Sequence, residues 1–252
     1  MSSNNLRSLF KNQPGLSHQS IDLMVQNLDG QAGLGCVGAQ VDELNTDDVT
    51  LLVVLLDASG SMDSVRQPVL EAFNELCRAL MDSKSRDSIL MSAWTFHDRP
   101  ALLFGYTPID QVQDLTPAQY QPDGGTALFD AVLSGFTGIV GYGQDLRNNG
   151  IRTRSIVVVM TDGGDNMSAS TAAAVKTVAG DLIRQEFYTL AFVGLGDEKT
   201  FRHIADSMGF PEVLTVANTA ADIRKALHMI SGSVIRTSTG QIAPGTNSFF
   251  NP

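Results

Sequence analysis

Eight consecutive residues, Val49–Leu56 (VTLLVVLL), are almost uniformly apolar and rich in β-branched side chains. A strand with one face in water alternates apolar and polar residues, whereas a strand covered on both faces does not. The run therefore reads as a strand at the centre of a largely parallel sheet, with helices packed on either side.

The rest of the chain fits that frame. Ser155–Met160 (SIVVVM) is a second strand of the same kind, and Tyr188–Val193 and Glu212–Val216 are shorter ones. Ile89–Phe96 and Ala101–Tyr106 are strands joined by only His97–Pro100. A parallel crossover takes about a dozen residues or more, so this pair is expected to be antiparallel. Helical spacing marks Val65–Met81, through Val69, Phe73, Leu76 and Leu80, and also Ala127–Val140, Lys199–Met208 and Ala221–Val234. A helix over Ser168–Glu186 is expected to open on Ser168, and a short one is expected over Ser20–Leu28. Strands alternating with helices predict an α/β fold. It would be doubly wound and Rossmann-like, with a mostly parallel central sheet, one antiparallel edge strand and helices on both faces.

The organisation expected is an N-terminal extension over residues 1–48, a domain over 49–235 and a tail over 236–252. Residues 1–17 are dominated by Ser, Asn, Gln, Pro and Gly, which suggests a loose segment. The tail is polar and reads as extended or disordered. With 252 residues and 43% hydrophobic content, one α/β domain with some excess at its ends is the natural size.

Lys and Arg number 17 against 27 Asp and Glu, a formal charge of −10. Such a surface repels phosphate backbones, so no nucleic-acid partner is expected. No apolar stretch reaches the roughly 20 residues of a membrane helix. The opening MSSNNLRSLFKNQPG lacks the apolar heart of a secretory signal. Two cysteines, Cys36 and Cys77, suit a reducing compartment. A cytoplasmic protein without a membrane partner is the expectation.

Three polar stretches fall at strand–helix junctions, where sheets of this kind bind ligands. Asp57-Ala58-Ser59-Gly60-Ser61 follows the first central strand, Asp123-Gly124-Gly125-Thr126 opens a helix, and Thr161-Asp162-Gly163-Gly164-Asp165 follows SIVVVM. If the two strands are neighbours, Asp57 and Asp162 end side by side and the Thr126 loop closes over them. Hydroxyls and carboxylates are hard oxygen donors, suited to Mg²⁺, Mn²⁺ or Ca²⁺ rather than zinc. Three hydroxyls with few direct carboxylates would leave such an ion electrophilic and able to take an incoming carboxylate. The bland alternatives are turns and helix caps: Ser61 or Asp63 capping the helix that follows, Thr126 capping its own, and Asp165 as a solvated loop carboxylate.

The order DxSxS, then Thr, then Asp resembles the von Willebrand factor A domain family and its metal-ion-dependent adhesion site, over residues from about 49 to 235. The resemblance implies that Ser59, Ser61 and Thr126 ligate a divalent metal, Mg²⁺ above all. Asp57 and Asp162 would bind it directly or through water. It further implies a partner protein that supplies an Asp or Glu, and a binding module rather than an enzyme. DASGSM, GGTAL and TDGGDN look like the intracellular, bacterial-type branch, some members of which work beside AAA+ ATPases of the MoxR type.

Rival readings stay open at this point. The metal could be purely structural, tying loops together in a subunit of a larger complex. Asp57 could be the nucleophile of a phosphatase of the haloacid dehalogenase type, although Ser59 stands where such enzymes carry a second Asp, and no Lys lies near these motifs. Gly33-Leu34-Gly35-Cys36-Val37-Gly38 spells a dinucleotide fingerprint, but no buried strand precedes it, so a flexible connector is expected. His97 reads as a solvated or capping residue, and Trp94 as core.

Overall fold

The computed structural model describes residues 10, 15–26, 31–44, 46–242 and 248–250. Among these residues six strands form one sheet: β1 Asp48–Asp57, β2 Ile89–Phe96, β3 Pro100–Pro108, β4 Arg152–Thr161, β5 Tyr188–Leu195 and β6 Glu212–Val216, in the order β3-β2-β1-β4-β5-β6. All neighbours are parallel except β2 and β3, which pair antiparallel at the edge. The α/β sheet and its antiparallel edge strand are thus as the sequence predicts. Among the described residues seven α-helices accompany the strands: α1 His18–Gln26, α2 Gln31–Leu34, α3 Arg66–Met81, α4 Leu128–Asn148, α5 Ala172–Ile183, α6 Glu198–Met208 and α7 Ala220–Ser238.

β1 lies between β2 and β4, and every residue from Val49 to Asp57 is buried. Its side chains split between two cores. Val49, Leu51, Val53 and Leu55 join α4, α5 and α6 on one face, and Leu52, Val54 and Leu56 join α3 and α7 on the other. Each such side chain taken from water contributes roughly 1.5–3 kcal/mol, which is why the run tolerates no polar alternation. Trp94 is 1% exposed in the first core, as expected.

The sequence expectation for α4 stops at Val140, yet the helix runs on to Asn148. Gly138, Gly141 and Gly143 lie within this helix although glycine costs about 1 kcal/mol against Ala in a helix interior. Here they are what lets other chain segments approach. A Cβ at Gly138 would lie 2.7 Å from the carbonyl oxygen of Gly35, and one at Gly141 would lie 2.6 Å from Cys36 Sγ. The segment expected to be a flexible connector is thus packed on α4, and it also meets the sheet edge. Ala39 N–H donates to Tyr106 O at 2.8 Å, and Tyr106 N–H donates to Val37 O at 3.1 Å. Gly138→Ala should therefore destabilise the fold by about 1–3 kcal/mol despite its better helix propensity, because the obstruction is backbone. A thermal melt with hydrogen exchange over residues 33–39 checks this, and a variant as stable as the parent would contradict it.

The ends are tied back to this frame. Asp181 of α5 accepts hydrogen bonds on Oδ2 from Ser17 N (2.7 Å), Ser17 Oγ (2.6 Å) and Ser20 Oγ (2.6 Å). Burial pushes the Asp181 carboxyl up, but these hydrogen bonds and Arg184 outweigh it and hold it below the usual carboxylate range. α1 begins at His18, and the expected end at Leu28 lies outside the described residues. Of the tail, α7 takes residues as far as Ser238, and Phe249 and Phe250 are 0% and 9% exposed in the second core. Cys36 and Cys77 are not joined in a disulfide and are buried in opposite cores, and burial pushes both thiols up to about 12.

Candidate metal centre

β1 and β4 are adjacent and parallel, with Leu56 opposite Met160, so Asp57 and Asp162 emerge at the same edge of the sheet. Asp57 is 0% exposed. Its Oδ1 accepts the Ser59 N–H at 2.7 Å, and its Oδ2 accepts the Thr161 hydroxyl at 2.5 Å. Ser59 Oγ and Ser61 Oγ lie 3.1 Å apart, and Ser61 Oγ donates to Asp162 Oδ1 at 2.6 Å. Four of the five expected residues are thereby linked in one cluster.

Thr126, 4% exposed, is the fifth. A Cβ at Gly163 would lie 3.8 Å from Thr126 Oγ1, which brings that hydroxyl against the residue after Asp162. The Thr126 loop is anchored on all sides. Asp123 N–H donates to Ala58 O at 2.9 Å, Gly60 N–H donates to Gly124 O at 3.2 Å, and Gly125 N–H donates to Asp98 Oδ1 at 2.7 Å. Gly124 has φ +66°, a left-handed conformation that glycine adopts without penalty, and a Cβ there would strike Asp98 at 2.4 Å.

The capping alternatives fail on geometry. Ser59 precedes the 3₁₀ turn Gly60–Val65 as its N-cap residue but makes no side-chain cap. α3 starts after Val65 and α4 after Ala127, so Ser61, Asp63 and Thr126 cap neither helix. Ser168 does not open α5, which starts after Thr171, whose side chain accepts from Ala174 N. Instead Ser168 Oγ donates to Asp165 Oδ1 at 2.5 Å and accepts from Asp130 N at 3.0 Å. Asp165 is likewise no solvated loop acid: its Oδ1 also accepts from Phe129 N at 3.2 Å, on the first turn of α4. A carboxylate there meets the unpaired N–H groups and the positive end of the helix dipole.

Several positioning residues escape sequence reasoning. Tyr120 OH donates to Asp57 O at 2.6 Å, and Asn166 Oδ1 accepts from Thr126 N at 2.7 Å. Asn166 adjoins the third motif and could have been noticed, but Tyr120 and Asp98 carry no local signal because their partners are distant in sequence.

Burial lifts the Asp57 carboxyl to about 6, partly offset by the Thr161 and Ser59 hydrogen bonds, with Asp162 adding like-charge repulsion. Among the described residues neither Asp57 nor Asp162 forms an ion pair with Lys or Arg. Also among the described residues, no three of His, Cys, Asp and Glu converge as a soft or carboxylate-rich metal site would require. The donor set at the β1–β4 edge is hydroxyl-rich and hard, with two carboxylates to balance a cation, and it fits a divalent ion of the Mg²⁺ type.

Fold and site together define a doubly wound α/β domain whose polar loops gather at the carboxyl ends of β1 and β4. The model of the von Willebrand factor type A domain matches residues 52–228, and the chain belongs to that family. Among solved structures, the PilB minor pilin from Streptococcus sanguinis superposes with a TM-score of 0.58 at 11% identity, covering 80% of this chain and 64% of the pilin. The pilus adhesin SpaC from Lactobacillus rhamnosus GG, in its open conformation, gives 0.55 at 13% identity, covering 77% of this chain and 30% of the adhesin. The chain thus spans less than two thirds of either protein, and at these identities the likeness is one of fold. No curated protein sequence matches. Among the described residues no helix is long and apolar enough to cross a membrane.

Proposed function

We propose that this chain is a metal-dependent protein-interaction module, with Asp57, Ser59, Ser61, Thr126 and Asp162 as the residues that hold the ion. When bound, a divalent cation, with Mg²⁺ preferred and Mn²⁺ or Ca²⁺ also suited, would supply an electrophilic centre for an Asp or Glu of the partner. The observation that carries the reading is the joining of Asp57, Ser59, Ser61 and Asp162 at one strand edge, with hydroxyls that cap no helix. Asp57 is buried and among the described residues has no basic partner, which gives that edge a need for positive charge.

Catalysis by Asp57 is disfavoured. Ser59 stands two residues on, where a second carboxylate would have to protonate the leaving group, and among the described residues no Lys or Arg pairs with Asp57 to hold a phosphate. Cys36 and Cys77, buried in opposite cores and not joined in a disulfide, suit a reducing cytoplasm. A MoxR-type AAA+ ATPase is the first partner to test, on the resemblance alone.

The test is copurification in Mg²⁺ followed by EDTA, with mass spectrometry of what is released. Partners are expected to leave in EDTA and to be missing from Asp57→Ala. A stoichiometric complex that survives both treatments would sink this reading and favour a structural subunit.

A further inference from the structure

A bare ion would accept almost any carboxylate, so selectivity must come from what surrounds it. Among the described residues three large apolar side chains are exposed: Leu34, Val37 and Met167. Leu34 and Val37 lie together beside β3. Met167 stands apart from them, at the rim of the metal centre.

Its position is held by that centre. The N–H groups of Asn166 and Met167 donate to Thr126 O at 3.0 and 3.2 Å, and Asn166 Oδ1 accepts from Thr126 N at 2.7 Å. The side chain lies over Gly125, where a Cβ would sit 2.4 Å from Met167 Cγ and 3.1 Å from Sδ. Glycine at 125 thus makes room for Met167 beside the proposed ligand Thr126, and the methionine is still 49% exposed. An unbranched thioether adapts its shape to varied partner surfaces.

The same rim carries exposed carboxylates. Asp98 Oδ1 accepts from Gly125 N at 2.7 Å and Asp123 Oδ1 accepts from Gly124 N at 2.8 Å. Fixed negative charge there opposes any second acid brought by a partner, while the ion would hold the first.

Resting on the metal-site reading above, we propose that Met167 is the specificity-determining residue of this surface. The partner then presents a single Asp or Glu beside a large apolar residue, with no second acid next to it. Contact with Met167 rewards the apolar neighbour, and Asp98 and Asp123 penalise an acidic run.

The test uses the full chain on an array of acetylated pentapeptides with Asp or Glu at the centre and Leu, Ser or Glu as neighbours. Binding is read in Mg²⁺ and in EDTA. In Mg²⁺, Leu-flanked peptides should bind about fivefold to tenfold tighter than Ser-flanked ones, the effect of withdrawing part of an apolar side chain from water. Glu-flanked peptides should bind weakest. Met167→Ser should bring the Leu-to-Ser ratio to about one, with Mg²⁺ affinity followed by calorimetry on the same variant. A flat preference in the parent, a ratio that survives Met167→Ser, or a fall in Mg²⁺ affinity that accounts for the loss would overturn the assignment of Met167 alone. Absence of any Mg²⁺-dependent peptide binding would overturn the metal-site reading and this one with it.

Discussion

In EDTA at pH 7.5, Asp57→Asn is expected to melt at a higher temperature than the parent chain, and Mg²⁺ is expected to raise only the parent. Asp57 is 0% exposed, and its carboxyl titrates near 6 rather than 3.8 because burial, with Asp162 close by, disfavours the charge. A carboxyl raised in the folded state lends stability at low pH and loses it as pH rises through the folded value. The handicap of the parent therefore grows between about pH 4 and pH 6 and is complete above, at something on the order of 3 kcal/mol. For a chain of this size that is about 5–10 °C in melting temperature. Asparagine keeps the acceptor for Ser59 N–H without the charge. Near pH 4 the two chains should converge. Mg²⁺ at a hundred times its dissociation constant should return about 2.7 kcal/mol to the parent and nothing to the variant. Melts at both pH values, with Mg²⁺ or EDTA, decide the matter. Equal Mg²⁺ stabilisation of parent and variant would remove Asp57 from the ion's surroundings.

Phe249→Ala should cost more, about 3–5 kcal/mol, the usual range for emptying a buried aromatic site. Phe249 is 0% exposed in the core shared by α3 and α7, with its ring 5.1 Å from that of Phe250 in an edge arrangement. Its carbonyl accepts from the Ser233 hydroxyl and from Arg236 Nη2 of α7, the latter at 3.2 Å. The loss combines surface returned to water with a cavity that α7 cannot collapse to fill. Denaturant unfolding measures it, with Phe249→Leu as a milder control. A cost below about 1 kcal/mol would mean that these residues do not carry the packing described.

Legibility in the sequence followed the range of the interaction. VTLLVVLL and SIVVVM announced buried strands, and the four-residue connector His97–Pro100 announced the antiparallel edge. Asp57, Ser59, Ser61 and Asp162 could be picked out because they follow those strands directly. α4 runs past the expected end at Val140 to Asn148, and its glycines have no local explanation: Gly138 and Gly141 answer to Gly35 and Cys36 more than a hundred residues earlier in the chain. Ser168 and Asp165 were misread for a related reason: a cap is local, but their partners sit on α4.

The sequence by itself determined where the strands and the long helices lie, though not every helix end, and which polar residues stand at strand ends. Both follow from periodicity and from the backbone preferences of single residues. Only the tertiary structure decided that β1 lies against β4, that the Thr126 hydroxyl meets Gly163, and that Asp98, Tyr120 and Asn166 hold the loops in place. Those are close approaches between distant parts of the chain, settled by how two cores pack on one sheet, and no local pattern records them.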